Sequence, residues 1–229
     1  MTLLPGLGAG VIAAAGYATR LQPLSCSKEM LPIDGRPVMD YVIDRMRAAG
    51  CSEVRVVTRP EKTDVIAHGD EIGATVIRAH PKTPGESFAA GMAGLAPEDI
   101  VLIGWPDTIW EPLEGYVPLV QAVEEGREIA LGLFETPDLE RSDVLSFDDS
   151  GRITGIHIKP AEPPSTWIWG CAAARRRALD GLEGEEWPGS FFNELCQNGV
   201  DLYAVPLSHA WLDIGTKETL ERALANSER

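Results

Sequence analysis

The feature that most constrains this chain is a rhythm. Apolar runs of strand length alternate with segments whose apolar residues recur every three or four positions, and such alternation predicts a mostly parallel sheet covered by helices on both faces. A strand over Val11 to Ala15 opens the series. A helix beginning at Pro37 presents Val38, Val42, Met46 and Ala49 on one face, and Gly50 stands where a C-terminal cap belongs. The pattern then predicts a strand over 53–58, a weaker helix over 62–72, a strand over 75–79, a helix over 86–95 and the very apolar strand 100–104. A helix over 113–125 leads to a strand over 129–135. From 143 to 172 strands dominate, among them 152–158 after a turn at 148–151, which predicts a small antiparallel insertion beside the parallel sheet. Helices return over 190–199 and 216–226. No repeat, low-complexity tract or linker interrupts the chain, so its 229 residues fit a single α/β domain.

Charge narrows the possible partners. With 35 acidic and 20 basic residues the chain carries a formal charge of -15, a balance that repels nucleic-acid backbones and anionic membrane surfaces. A small anion can still bind where local cations outweigh that field, because charges beyond ~8 Å are largely screened at physiological salt. Cys26, Cys51, Cys171 and Cys196 show neither a CxxC nor a His-paired spacing, and His68, His80, His157 and His209 are scattered, so free thiols and no zinc site are expected. No run approaches the ~20 apolar residues of a membrane span, and the N-terminus has no basic residue before Arg20. The expectation is a soluble, cytoplasmic protein with a short leader entering a buried strand. Gly6, Gly8 and Gly10 mimic a dinucleotide fingerprint but lie ahead of the first strand in this reading, so they are assigned to the flexible leader. The six tryptophans divide between the core and the wall of a ligand pocket.

The segment AAAGYATRLQPLSCSKEMLP follows the first strand, where an α/β sheet presents a ligand loop. The small residues Ala14, Ala15, Gly16 and Ala18 let backbone N–H groups approach a phosphate, and Arg20 and Lys28 supply charge. Composition alone is equally compatible with an ordinary turn carrying two surface cations. The wording is more specific. GYATRLQPLS followed by Lys28 and KEMLPI resembles the opening motif of the sugar-1-phosphate nucleotidyltransferases, typified by glucose-1-phosphate thymidylyltransferases and UTP-glucose-1-phosphate uridylyltransferases. Three later segments resemble that family in the same order: IVLIGWPDTIW, IHIKPAEPPSTWIWG and WLDIGTKETLERA.

The resemblance implies a single Rossmann-like nucleotidyltransferase domain with a mixed, mainly parallel sheet. A nucleotide-binding half would span 1–135, and a sugar-phosphate-binding half with a C-terminal helix would span 136–229. It implies transfer of a nucleoside monophosphate from a nucleoside triphosphate, dTTP or UTP favoured, to a sugar-1-phosphate. Ala14, Ala15, Gly16, Ala18, Thr19, Arg20 and Gly85 would bind the nucleotide, and Arg20, Lys28 and Asp107 would be catalytic. Lys159 and Gly170 would meet the sugar phosphate, and Asp107 and Asp213 would hold Mg²⁺. A monomer or small homo-oligomer is expected. The chain departs from the family at Ala18, where a glycine is usual, in a shortened stretch before Lys28, at His80 in place of the base-reading glutamine, and at His157 and Ile158, where an acidic residue precedes the KP pair. Two alternatives stay open at this stage: a non-catalytic nucleotide or sugar-phosphate sensor, and an enzyme acting on a non-sugar phosphate acceptor.

Overall fold

The protein is described by a computed structural model covering residues 6–227 apart from 138, 140 and 141. The leader assignment for residues 1–5 lies outside the described residues. The chain opens with β1 (Leu7–Ala13), a long loop, and the hairpin of β2 (Pro32–Ile33) and β3 (Arg36–Pro37). Asp34 and Gly35 turn this hairpin with φ of 51° and 76°, the paired positive values that a tight two-residue hairpin loop demands. Next come α1 (Met39–Ala48), β4 (Val54–Thr58), α2 (Thr63–Glu71), β5 (Thr75–Arg78), α3 (Pro84–Met92), β6 (Ile100–Gly104) and β7 (Thr108–Trp110). The remaining elements are α4 (Tyr116–Glu124), β8 (Ile129–Glu135), β9 (Val144–Phe147), β10 (Ile153–His157), β11 (Trp167–Arg175), α5 (Pro188–Gln197), β12 (Leu202–Ser208), β13 (Trp211–Asp213) and α6 (Lys217–Ser227).

The central sheet runs β12-β8-β11-β6-β1-β4-β5, with β9 and β10 joined where Val144 meets Ile168 at the start of β11. The β1–β4, β1–β6, β4–β5 and β8–β12 ladders are parallel, whereas β11 runs against both β6 and β8. The antiparallel part foreseen in the second half is therefore β9, β10 and β11, and β11 lies inside the sheet. Val11, Ile103, Leu131 and Ala172 point to one face with Phe88 of α3 and Phe192 of α5, while Ile12, Leu102, Ala130 and Cys171 meet α1 and α4 on the other. Burial on both faces explains why these strands read as continuous apolar runs.

Three local outcomes differ from the sequence reading. The hairpin consumes Pro37, so α1 starts at Met39, although Gly50 does follow it in the left-handed region with φ of 85°. Gly8 and Gly10 belong to β1 and are not a leader. A Cβ on Gly10 would stand 2.5 Å from the Met46 sulfur, so this glycine lets α1 close onto the strand. The strand β12 also escaped notice, because Pro206 demotes a strand pattern; beyond its ladder with β8 it makes a single bridge, from Tyr203 to Arg152, which does not involve Pro206.

The parallel strands also locate the ligand end. From β1 the chain builds outward to β4 and β5, then crosses back to lay β6 on the opposite side of β1. This reversal leaves a crevice at the strand carboxyl ends, flanked by the loops after β1 and β6.

Candidate active site

The loop after β1 is tied down before it reaches the crevice. Ala14 and Ala15 are buried, and their carbonyls accept from Thr58 Oγ1 at 3.2 Å, Lys62 Nζ at 2.9 Å and Arg59 Nε at 2.8 Å. These two alanines are the anchors of the loop. Beyond them Gly16 is exposed, Tyr17 lies under the Arg59 guanidinium at 4.2 Å, and Ala18 takes φ of 52°. Ala18 thus stands in the left-handed region that favours glycine, and an alanine is held in it at a cost. Leu21 then drops into a small apolar cluster with Leu31, Ile33, Val38 and Ile214, joining the loop to the strand end that carries Asp213.

The far end of the loop is held by ions. Ser27 donates from its backbone and hydroxyl to Asp64, both at 2.7 Å. Glu29, fully buried, accepts from Lys62 Nζ at 2.8 and 2.9 Å, so a single lysine clamps the loop at Ala14 and again at Glu29. Burial pushes the Glu29 carboxyl up, against the pull of Lys62 and Lys28, and pushes the Lys62 ammonium down, against the pull of Glu29. Between these anchors Lys28 reaches across to Asp107, with Nζ 2.5 Å from Oδ2 and its side chain 19 % exposed. Burial works against the Lys28 charge, but Asp107, Glu29 and Asp213 together hold its pKa above the usual lysine value.

Asp107 and Asp213 arrive from different halves of the chain. β7 and β13 pair antiparallel with Thr108 opposite Asp213, and Ile214 donates its N–H to the Asp107 carbonyl at 2.8 Å. Gly215 completes the corner: a Cβ there would stand 3.3 Å from Asp213 Oδ2 and 3.4 Å from Arg20 Nη2, so its absence leaves room for both charged groups. A cavity of about 510 Å³ opens over this corner, and Gly16, Arg20, Lys28, Asp107, Lys159 and Asp213 all line it.

Two carboxylates offer only hard oxygen donors, and the described residues contain no cluster of three or more His, Cys, Asp or Glu side chains. That donor set suits Mg²⁺, which usually takes one or two protein carboxylates and completes its octahedron with water and substrate phosphate. Asp107 and Asp213 are the two carboxylates of the cavity corner that could contribute to such a site.

β9 and β10 pair with Val144 opposite His157, so Asp143 and Lys159, which also line the cavity, flank one hairpin end. Lys159 takes φ of 42° and sets its Nζ 3.8 Å from the centroid of the Trp187 ring. Trp105, Trp169 and Trp211 add aromatic walls. Gly170 lies beneath this wall, not on it: a Cβ there would stand 2.2 Å from the Trp211 ring. Gly85 is likewise set back, its missing Cβ leaving space for the Leu182 carbonyl, which would lie 2.2 Å away. Sequence reasoning missed Glu29, Lys62, Asp64 and Asp143. Glu29 acts from within the loop, Lys62 and Asp64 hold it from the start of α2, and Asp143 precedes Lys159 by a whole hairpin, so no local spacing announces them.

Similarity to known proteins agrees with this geometry. Residues 10–186 match the MobA-like NTP transferase domain family. A glucose-1-phosphate thymidylyltransferase of Neisseria meningitidis is 25 % identical over 93 % of this chain and 80 % of its own length. A UTP–glucose-1-phosphate uridylyltransferase of Haloferax volcanii is 32 % identical over 69 % of this chain and 68 % of its own length. A crystal structure of a Bacillus anthracis protein assigned as a glucose-1-phosphate thymidylyltransferase, solved with sucrose, superimposes with a TM-score of 0.83 over 96 % of this chain and 95 % of that one, at 21 % identity, and so shares the fold. With its Rossmann-like sheet, its crevice at the β1–β6 reversal and these relatives, the chain belongs to the MobA-like NTP transferase domain family and is a nucleotidyltransferase.

Proposed function

We propose that this enzyme transfers a nucleoside monophosphate from a nucleoside triphosphate to a sugar-1-phosphate, giving a nucleoside diphosphate sugar and pyrophosphate. The observation that carries the reading is the convergence of Arg20, Lys28, Asp107, Asp213 and Lys159 on one cavity from four separate stretches of chain. The names of the relatives favour dTTP or UTP and a hexose 1-phosphate.

In the reaction an oxygen of the sugar phosphate forms a bond to the α-phosphorus, and the bridging bond to the β-phosphate breaks, its electron pair leaving with pyrophosphate. The nucleophile is already anionic, so no side chain has to remove a proton. The work left to the protein is to align two anions and offset their repulsion. Arg20 holds the β- and γ-phosphates with its planar fork and receives the charge that develops on pyrophosphate. Lys28, pre-positioned on Asp107, moves its ammonium toward the phosphates as they enter. Lys159 grips the acceptor phosphate. Asp107 and Asp213 would hold Mg²⁺, which when bound neutralises phosphate charge and fixes the α-phosphate in line.

Pyrophosphate release tests this directly, with dTTP or UTP, a panel of hexose 1-phosphates and Mg²⁺. Asp107→Asn should lower kcat by at least ~100-fold, the scale of losing one charge-stabilising contact in an enclosed site. Turnover unchanged by that substitution overturns the metal assignment.

A further inference from the structure

We propose that Asp143 is a specificity residue for the acceptor, its free carboxylate oxygen accepting a hydroxyl from a polyhydroxylated phosphate bound against Trp169. The proposal rests on the acceptor reading of Lys159. Asp143 lines that cavity, yet its Oδ1 is buried and has no hydrogen-bond partner among the described residues. A buried acceptor left unmatched costs free energy, and such groups in folded proteins are expected to be matched by a ligand or water.

The carboxylate is also held in place. Burial pushes the Asp143 carboxyl above its ordinary value, against the opposing pull of the Trp169 side chain, the Lys159 ammonium and the Lys159 backbone N–H. A Cβ on Gly189 would stand 2.0 Å from Oδ2, so glycine in the first turn of α5 is what allows the carboxylate to sit against the helix start. One oxygen is packed against the protein and the other is left for something else.

The partner is a neutral donor and not a cation. Lys159 already supplies positive charge to Asp143, and the same ammonium covers the Trp187 face. A second cation there would meet the Lys159 ammonium, whereas no hydroxyl reaches Oδ1 among the described residues. A carboxylate that can only accept, beside flat aromatic faces, suits a sugar ring.

Tryptophan fluorescence titration with a panel of hexose 1-phosphates, inorganic phosphate and phosphocholine tests the assignment on wild type and the near-isosteric Asp143→Asn. The variant should bind the preferred hexose 1-phosphate at least ~10-fold more weakly, the scale of losing a charge-assisted hydrogen bond, with its phosphate affinity within twofold of wild type. A deoxy analogue lacking the recognised hydroxyl should bind wild type and variant alike. Equal hexose phosphate affinity in the two proteins overturns the proposal, as does wild-type binding to none of the hexose phosphates. Phosphocholine binding more tightly than every sugar phosphate, with Asp143 required, overturns it in favour of a cationic acceptor. Asp143-dependent hexose phosphate binding without pyrophosphate release from any triphosphate would instead uphold this residue assignment and sink the transfer reaction.

Discussion

Removing the Glu29 carboxylate should loosen the catalytic loop and cost more than removing it together with its partner. Glu29 is completely buried and Lys62 is 13 % exposed, with two contacts of 2.8 and 2.9 Å between them. Glu29→Ala leaves the Lys62 ammonium largely buried, with the Ala14 carbonyl, 2.9 Å away, and the more distant Asp64 charge to answer it. Stranding a buried charge in this way costs ~3–5 kcal/mol. Glu29→Ala combined with Lys62→Met removes both charges, and what remains lost is chiefly the bond to Ala14, ~1 kcal/mol. Urea unfolding with an unchanged m-value measures both differences. The pH dependence has a definite sign. The folded pKa of Glu29 lies above its unfolded value, so its contribution is fully present below the ordinary carboxylate pKa and is lost as pH rises through the folded value. The stability difference between wild type and Glu29→Gln should therefore move toward the variant as pH rises across that window. A Glu29→Ala cost below ~1 kcal/mol, or a double variant as unstable as the sum of the singles, would refute the clamp.

Ala18→Gly should stabilise the protein, because φ of 52° strains alanine by ~1–2 kcal/mol while glycine loses ~0.4–1 kcal/mol through its freer unfolded chain. A melting temperature ~1–3 °C higher is expected, and a lower one contradicts the strain argument. Gly170→Ala should cost ~1–3 kcal/mol by overpacking, since its Cβ would fall 2.2 Å from Trp211 and 2.8 Å from Phe134. Because Trp211 lines the cavity, calorimetry should show the loss together with a raised KM for substrate; unchanged stability would mean that the ring moves freely.

Much of the architecture was legible because it rests on local periodicity. The strands 100–104 and 129–135 were bounded correctly from composition, since strands buried on both faces read as unbroken apolar runs. The Gly50 stop was equally plain. Elements made by distant pairing were not: β7 and β13 are three-residue strands that exist through each other, with Trp110 opposite Trp211 about 100 positions away in sequence and Glu111 bonding back to Ala210. Nor did Gly10 disclose that it serves close packing of α1, because only the neighbouring Met46 gives it that purpose.

The sequence alone determined the α/β class, the alternation of the main parallel strands and helices up to residue 135 and the charged residues that recur in a nucleotidyltransferase pattern, because periodicity and short motifs are properties of neighbouring residues. The tertiary structure decided how the loop from Gly16 to Pro32 is held, that Lys28 meets Asp107, and that Asp143 comes to stand beside Lys159 with an oxygen to spare. Those outcomes depend on strand register and on which charges are buried together, and both are settled only when remote segments pack.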